Sequence, residues 1–108
     1  MNPESRLKDA ILKAVREAYP TAYARKLADR YTRGLFDVVV CFTKATATTR
    51  GAGTLWVECK ADGGRLSPLQ VEEQMAIASL HAPYDCRAMV ARSVEEVMNA
   101  LEDMGAIR

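Results

Sequence analysis

Two runs of strand length, LFDVVVCF (Leu35 to Phe42) and TLWVECK (Thr54 to Lys60), constrain this chain more than any other feature. Both are rich in β-branched and aromatic residues, which favour half-buried strands over helical stripes. Between them lies TKATATTRGAG, a Thr-, Ala- and Gly-rich stretch with the character of a long, exposed and mobile hairpin connection. If the two runs are neighbours, the start of the first lies beside the end of the second. The start carries Asp37, and the end carries Glu58 and Lys60.

Alternate side chains share a face along a strand, so Glu58 and Lys60 project together, with Val57 and Cys59 on the other side. Asp37, in an otherwise apolar run, must find a partner or stay at the rim. Two carboxylates placed together repel, and a divalent cation is what most readily offsets that. All-oxygen ligation suits Mg²⁺ or Mn²⁺, which keep several waters and share a site with phosphate oxygens. A lysine beside such an ion can orient an attacking water and neutralise charge growing on phosphorus. An isolated E-x-K is more often a salt pair at a strand end, and Asp37 is what shifts the balance toward phosphodiester hydrolysis.

The remaining segments supply the frame. From Pro3 to Tyr19, Leu7, Ile11, Ala14 and Ala18 recur at helical spacing, widened by Leu12 and Val15, and Pro20 ends that helix. Residues 21–27, TAYARKL, alternate loosely and read as a first strand. After the ADGGR turn, Ser67 as N-cap, Pro68 in the first helical position and Gln70 three residues after the serine form a capping box. That helix should run to about Leu80, with Leu69, Met75, Ile77, Ala78 and Leu80 forming a buried face. CRAMVA (Cys86 to Ala91) is a short buried strand, and Ser93 caps a last helix, VEEVMNALEDM, that Gly105 ends. The order α-β-β-β-α-β-α predicts an α/β fold, a mixed sheet with helices packed on it.

A chain of 108 residues suits one domain spanning residues 1–108. No run is long and apolar enough for a membrane span, and MNPESRLKDA lacks the apolar segment of a secretory signal, so a cytoplasmic protein is expected. The three cysteines, Cys41, Cys59 and Cys86, form no CxxC pair and lie in apolar stretches, as small buried hydrophobes would. Residues 1–50 hold ten Lys and Arg against five Asp and Glu, whereas residues 51–108 hold five against nine. That asymmetry hints at a polyanionic partner for the first half.

The series GLFD (Gly34 to Asp37), VECK (Val57 to Lys60) and LSPLQ (Leu66 to Gln70), followed by a strand and a helix beginning SVEEV, resembles the PD-(D/E)XK nuclease superfamily. Within it the chain is most similar to the virus-type replication-repair nuclease (VRR-NUC) domain, whose stand-alone members are small phage and bacterial proteins. The resemblance runs through residues 4–103. It implies that Asp37, Glu58 and the Cys59 backbone carbonyl bind Mg²⁺ or Mn²⁺, with Glu4 reaching the ion through a water. It further implies that Lys60 is the catalytic lysine, and that Gln70 reaches back toward the site from its helix. The capping box accounts for Gln70 equally well.

The implied activity is metal-dependent endonucleolytic cleavage of DNA, structure-selective for branched or four-way junctions, by a homodimer in the bacterial or phage-infected cell. Arg65 is the first choice for a phosphate contact, with Lys44, Arg50 and Arg33 behind it. Tyr23 and Tyr31 could stack on an unpaired base, although core packing is the simpler reading. The family usually has proline before the first aspartate, and here that residue is Phe36. That departure leaves room for an inactive nucleic-acid-binding module with the same fold.

Overall fold

The computed structural model describes residues 2–27, 36–45, 50–61, 63–80 and 85–108. The chain forms α1 (Pro3–Ala18), β1 (Tyr23–Lys26), β2 (Val38–Ala45), β3 (Arg50–Cys59), α2 (Pro68–Ala78), β4 (Cys86–Ala91) and α3 (Val94–Asp103). One four-stranded sheet has the order β1-β2-β3-β4. β1, β2 and β3 pair antiparallel, and the α2 crossover returns β4 parallel to β3. The predicted order and mixed α/β class are therefore what the chain adopts.

The hairpin is longer and its connection shorter than the sequence reading expected. β2 and β3 pair continuously from Val38 with Val57 to Ala45 with Arg50, so much of TKATATTRGAG is strand. Gly53, opposite Phe42, permits this extension: a Cβ there would lie 2.6 Å from the Phe42 ring. A residue without a side chain leaves room there for the far end of the ring.

One face of the hairpin carries Val38, Val40, Phe42, Leu55, Val57 and Cys59, all buried. Onto it pack Ile11, Leu12, Val15 and Tyr19 from α1 and Val97 and Leu101 from α3. The cap of α1 is Asn2, whose side chain accepts from the Ser5 backbone N–H at 2.8 Å just before Pro3. This cap satisfies an otherwise orphaned donor and fixes where α1 starts over the sheet.

The second helix departs from expectation. α2 ends at Ala78 and buries no residue, and Leu69, Val71, Met75 and Leu80 are exposed. The reason lies in the spacing: Leu69 and Ala78 are nine residues apart, about two and a half turns, and so point in opposite directions. Capping chemistry identified the helix, but no apolar stripe was there to bury it. The helix instead leans on β4 through Gln74, whose amide donates to the Met89 carbonyl at 3.2 Å.

Two smaller expectations are also corrected. Cys41 is exposed because alternation along β2 turns it away from the core, while Cys59 is buried and Cys86 intermediate. Tyr23 is exposed on the edge strand, where the Arg25 guanidinium stacks 4.2 Å from its ring centroid.

Candidate active site

β2 begins one residue after Asp37, and β3 ends one residue after Glu58. The ladder thus stops where the carboxylates start. The Asp37 backbone N–H donates to the Val57 carbonyl at 2.9 Å, and its side-chain Oδ2 accepts from the Cys59 N–H at 2.8 Å. With β2 finished, the side chain of Asp37 takes over the bond that a further strand residue would have made. N–H and C=O of one strand residue point to the same side, so the Cys59 carbonyl also faces the Asp37 side of β3. On the other side of the strand, the Lys60 N–H donates to the Ala91 carbonyl of β4 at 3.0 Å. Phe36, buried against Trp56 with ring centroids 5.9 Å apart, anchors the chain as it enters Asp37.

Glu58 is the one buried charged residue among those described, 4% exposed. Its Oε1 accepts from the Gln70 amide at 2.9 Å and lies 3.9 Å from the Lys60 ammonium, a separation too long for a hydrogen bond. Its Oε2 is buried, and among the described residues no donor reaches it. Burying a carboxylate costs several kcal/mol. A charged-group hydrogen bond returns about 1.5–3 kcal/mol. The deficit falls on ionisation: burial first, then the charge of Asp37, push Glu58 up from 4.5 to about 8, and Lys60 only partly opposes them. Burial and the same carboxylates also push the Cys59 thiol up to about 12, which leaves it an inert packing group.

The two readings of Gln70 turn out to be compatible. Its Oε1 accepts from the Ser67 backbone N–H at 2.8 Å while Ser67 Oγ accepts from the Gln70 N–H at 3.2 Å, a complete capping box. Because the carbonyl end is held by the cap, the NH₂ end is aimed at Glu58. One side chain therefore starts α2 and orients the buried carboxylate.

Other expected residues are distributed unevenly. Glu4 lies near enough for its charge to act on both Glu58 and Cys59. Among the described residues no three His, Cys, Asp or Glu side chains gather at metal-ligating spacing. Arg65 is exposed on the segment between Lys60 and α2. Lys44 pairs with Asp85 at the opposite end of the hairpin, seven residues along β2 from Asp37. At about 3.3 Å per residue that is over 20 Å, too far to share one phosphate with Asp37. Arg50, paired with Ala45, begins β3 at that same distant end. Arg33 and Tyr31 lie outside the described residues.

Two residues escaped the sequence reading. Lys8 on α1 places its ammonium 3.4 Å from Asp37 Oδ1. Its spacing of four from Glu4 was the available signal, since both then lie on one helix face. Arg92, just beyond β4, donates to the Ala61 carbonyl at 3.0 Å and to the Gly64 carbonyl at 2.7 Å, clamping the turn between Lys60 and α2. That turn closes from the Gly64 N–H to the Ala61 carbonyl at 3.0 Å and places Gly63 at φ 80°, a conformation glycine adopts without strain. No sequence pattern marked Arg92.

The chain is an α/β fold whose mixed sheet has an aspartate entering one central strand and a Glu-x-Lys leaving its neighbour. It is the fold of a VRR_NUC domain: a solved structure described as "VRR_NUC domain" superposes with a TM-score of 0.60 at 17% identity, covering 94% of this chain and 97% of that one. No family model matches the sequence, and no curated protein does.

Proposed function

We propose that the protein is a metal-dependent endodeoxyribonuclease. The observation that carries this reading is Glu58: a buried carboxylate beside Asp37, with one oxygen that no described residue donates to and a lysine within charge contact. A hard divalent cation fits that arrangement, because it would fill the open oxygen and offset the burial and the Asp37 charge that raise the Glu58 pKa. Asp37, Glu58 and the Cys59 carbonyl would hold Mg²⁺ or Mn²⁺, and Glu4 would reach it through a water. When bound, such an ion supplies Lewis acidity at a phosphate oxygen and a water of lowered pKa.

The chain's own groups do the rest. Lys60, 14% exposed at its side chain, would hydrogen-bond the attacking water and balance charge on the phosphate. Gln70 fixes the orientation of Glu58, and Arg92 holds the turn that carries the chain from Lys60 to α2. The substrate we propose is branched DNA, four-way junctions included, since a small chain has little surface for reading sequence. Symmetrical cutting of two strands calls for a homodimer, acting in the cytoplasm of a bacterial or phage-infected cell.

The test is one gel. Wild type, Asp37→Asn and Lys60→Ala are incubated with linear, flapped, nicked and four-way DNA in Mg²⁺, Mn²⁺ or EDTA, with mass measured in parallel on the junction complex. Cleavage by wild type alone, abolished by EDTA, is the expected result. DNA binding that persists in EDTA with no cleavage under either metal would replace the enzyme by an inactive binding module. A strictly monomeric complex would remove the junction-resolving form.

A further inference from the structure

Lys8 has no part in the reading above, yet it occupies the site. Its side chain is 19% exposed, and its ammonium lies 3.4 Å from Asp37 Oδ1. The other oxygen of Asp37 accepts from the Cys59 N–H, so both oxygens already have positive partners within the chain. The helix that carries Lys8 is fixed: Ile11, Leu12 and Val15, on the turns that follow, are buried in the core. Only the four-carbon stem of the lysine is free to swing its charge away. Glu4, one turn earlier, lies on the same helix face, so α1 presents both an acid and a base to the carboxylate pair.

We infer that Lys8 is a built-in counter-ion for Asp37, which stands in for part of a divalent cation's charge in the metal-free protein and must be displaced when the ion binds. α1 thereby tunes the metal affinity of a site whose carboxylates, Asp37 and Glu58, sit at the neighbouring ends of β2 and β3. This rests on the metal-dependent reading above. Lys8 makes loading harder, because its ammonium repels the incoming ion and its bond to Asp37 must be given up. In return, it balances the charge of Asp37 when no ion is present. With water-like screening, a single and a double positive charge a few ångströms apart change a binding constant about tenfold.

The experiment titrates Mn²⁺ alone, without DNA, into the full chain by calorimetry and follows thermal melting in EDTA and in saturating Mn²⁺. Lys8→Met should bind Mn²⁺ about tenfold more tightly than wild type. It should also melt lower in EDTA and gain more melting temperature from Mn²⁺. Lys8→Arg, which keeps the charge, should behave as wild type, and Asp37→Asn should lose binding. Unchanged or weaker Mn²⁺ affinity in Lys8→Met, while wild type binds, overturns the counter-ion role and leaves the metal reading standing. An equal loss of melting temperature with and without Mn²⁺ makes Lys8 merely structural and overturns it too. If Lys8→Met fails to fold, Lys8→Gln takes its place with the same expected outcomes. No Mn²⁺ binding by wild type overturns both readings.

Discussion

The Gln70 side-chain amide donates to Glu58 Oε1 across 2.9 Å while its carbonyl accepts from the Ser67 backbone N–H at 2.8 Å. The helix cap and the buried carboxylate are thus two ends of one planar group. A change at either end is transmitted to the other, because the amide cannot satisfy one partner and rotate freely about the other.

Ser67→Ala and Gln70→Ala separate these roles. Ser67→Ala should cost about 1 kcal/mol, a normal N-cap loss, and leave the Gln70–Glu58 bond in place. Gln70→Ala should cost somewhat more, about 2 kcal/mol, because the bond to Glu58 goes as well. Cleavage should fall about 10- to 100-fold in Gln70→Ala, the scale of losing the group that orients a ligand, and much less in Ser67→Ala. Urea melts beside cleavage rates check this, and equal activity losses in the two variants would contradict it.

Glu58 predicts the pH dependence. Its folded pKa of about 8 lies above the ordinary 4.5, so the fold stabilises the protonated form. That contribution is complete below about pH 4.5 and is lost as pH rises through about 8. Metal-free protein should therefore weaken from pH 5 to pH 9 in urea titrations with EDTA, and Glu58→Gln should flatten that slope. Mn²⁺ affinity should run the other way, rising with pH up to about 8 as the proton that the ion must replace becomes easier to remove. A Mn²⁺ affinity that does not change between pH 6 and pH 8 would contradict the assignment of Glu58 as a ligand.

Arg92→Ala removes two bonds to backbone carbonyls, those of Ala61 and Gly64. On an exposed turn this should cost about 1–2 kcal/mol. The larger effect should be on turnover, since the turn joins Lys60 to α2. Arg92→Lys, a single point charge without the planar fork, should recover only part of it. Single-turnover rates and DNA affinity, measured separately, should show the first falling more than the second.

Gly53→Ala should destabilise by about 1–3 kcal/mol, the usual range for overpacking, because the new methyl meets the Phe42 ring at 2.6 Å and Phe42 is itself buried. Replacing the ring in a Phe42→Leu, Gly53→Ala double variant should recover part of the loss. Thermal denaturation of the four proteins in that cycle tests the coupling.

Alternation and capping are local rules, and what they govern was legible in the amino-acid sequence. The β-branched runs fixed β2 and β3 and set Asp37 beside Glu58, and the Ser67 and Ser93 caps placed the starts of α2 and α3. They failed where length or exposure depended on a neighbour. The hairpin ran further because Gly53 admits Phe42, and α2 stayed exposed because its apolar residues do not share a stripe.

By itself the sequence determined the element order, the carboxylates and lysine at the strand ends, and the glutamine in the cap. Each rests on residues within a few positions of one another. Only the tertiary structure decided that Lys8 meets Asp37, that Arg92 clamps the turn after Lys60, and that Lys44 lies with Asp85 at the wrong end of the sheet. Those partners are far apart in the chain, and which of many available charges meet is settled by how α1 packs on the sheet and where β4 joins it. Packing, not spacing, chose them.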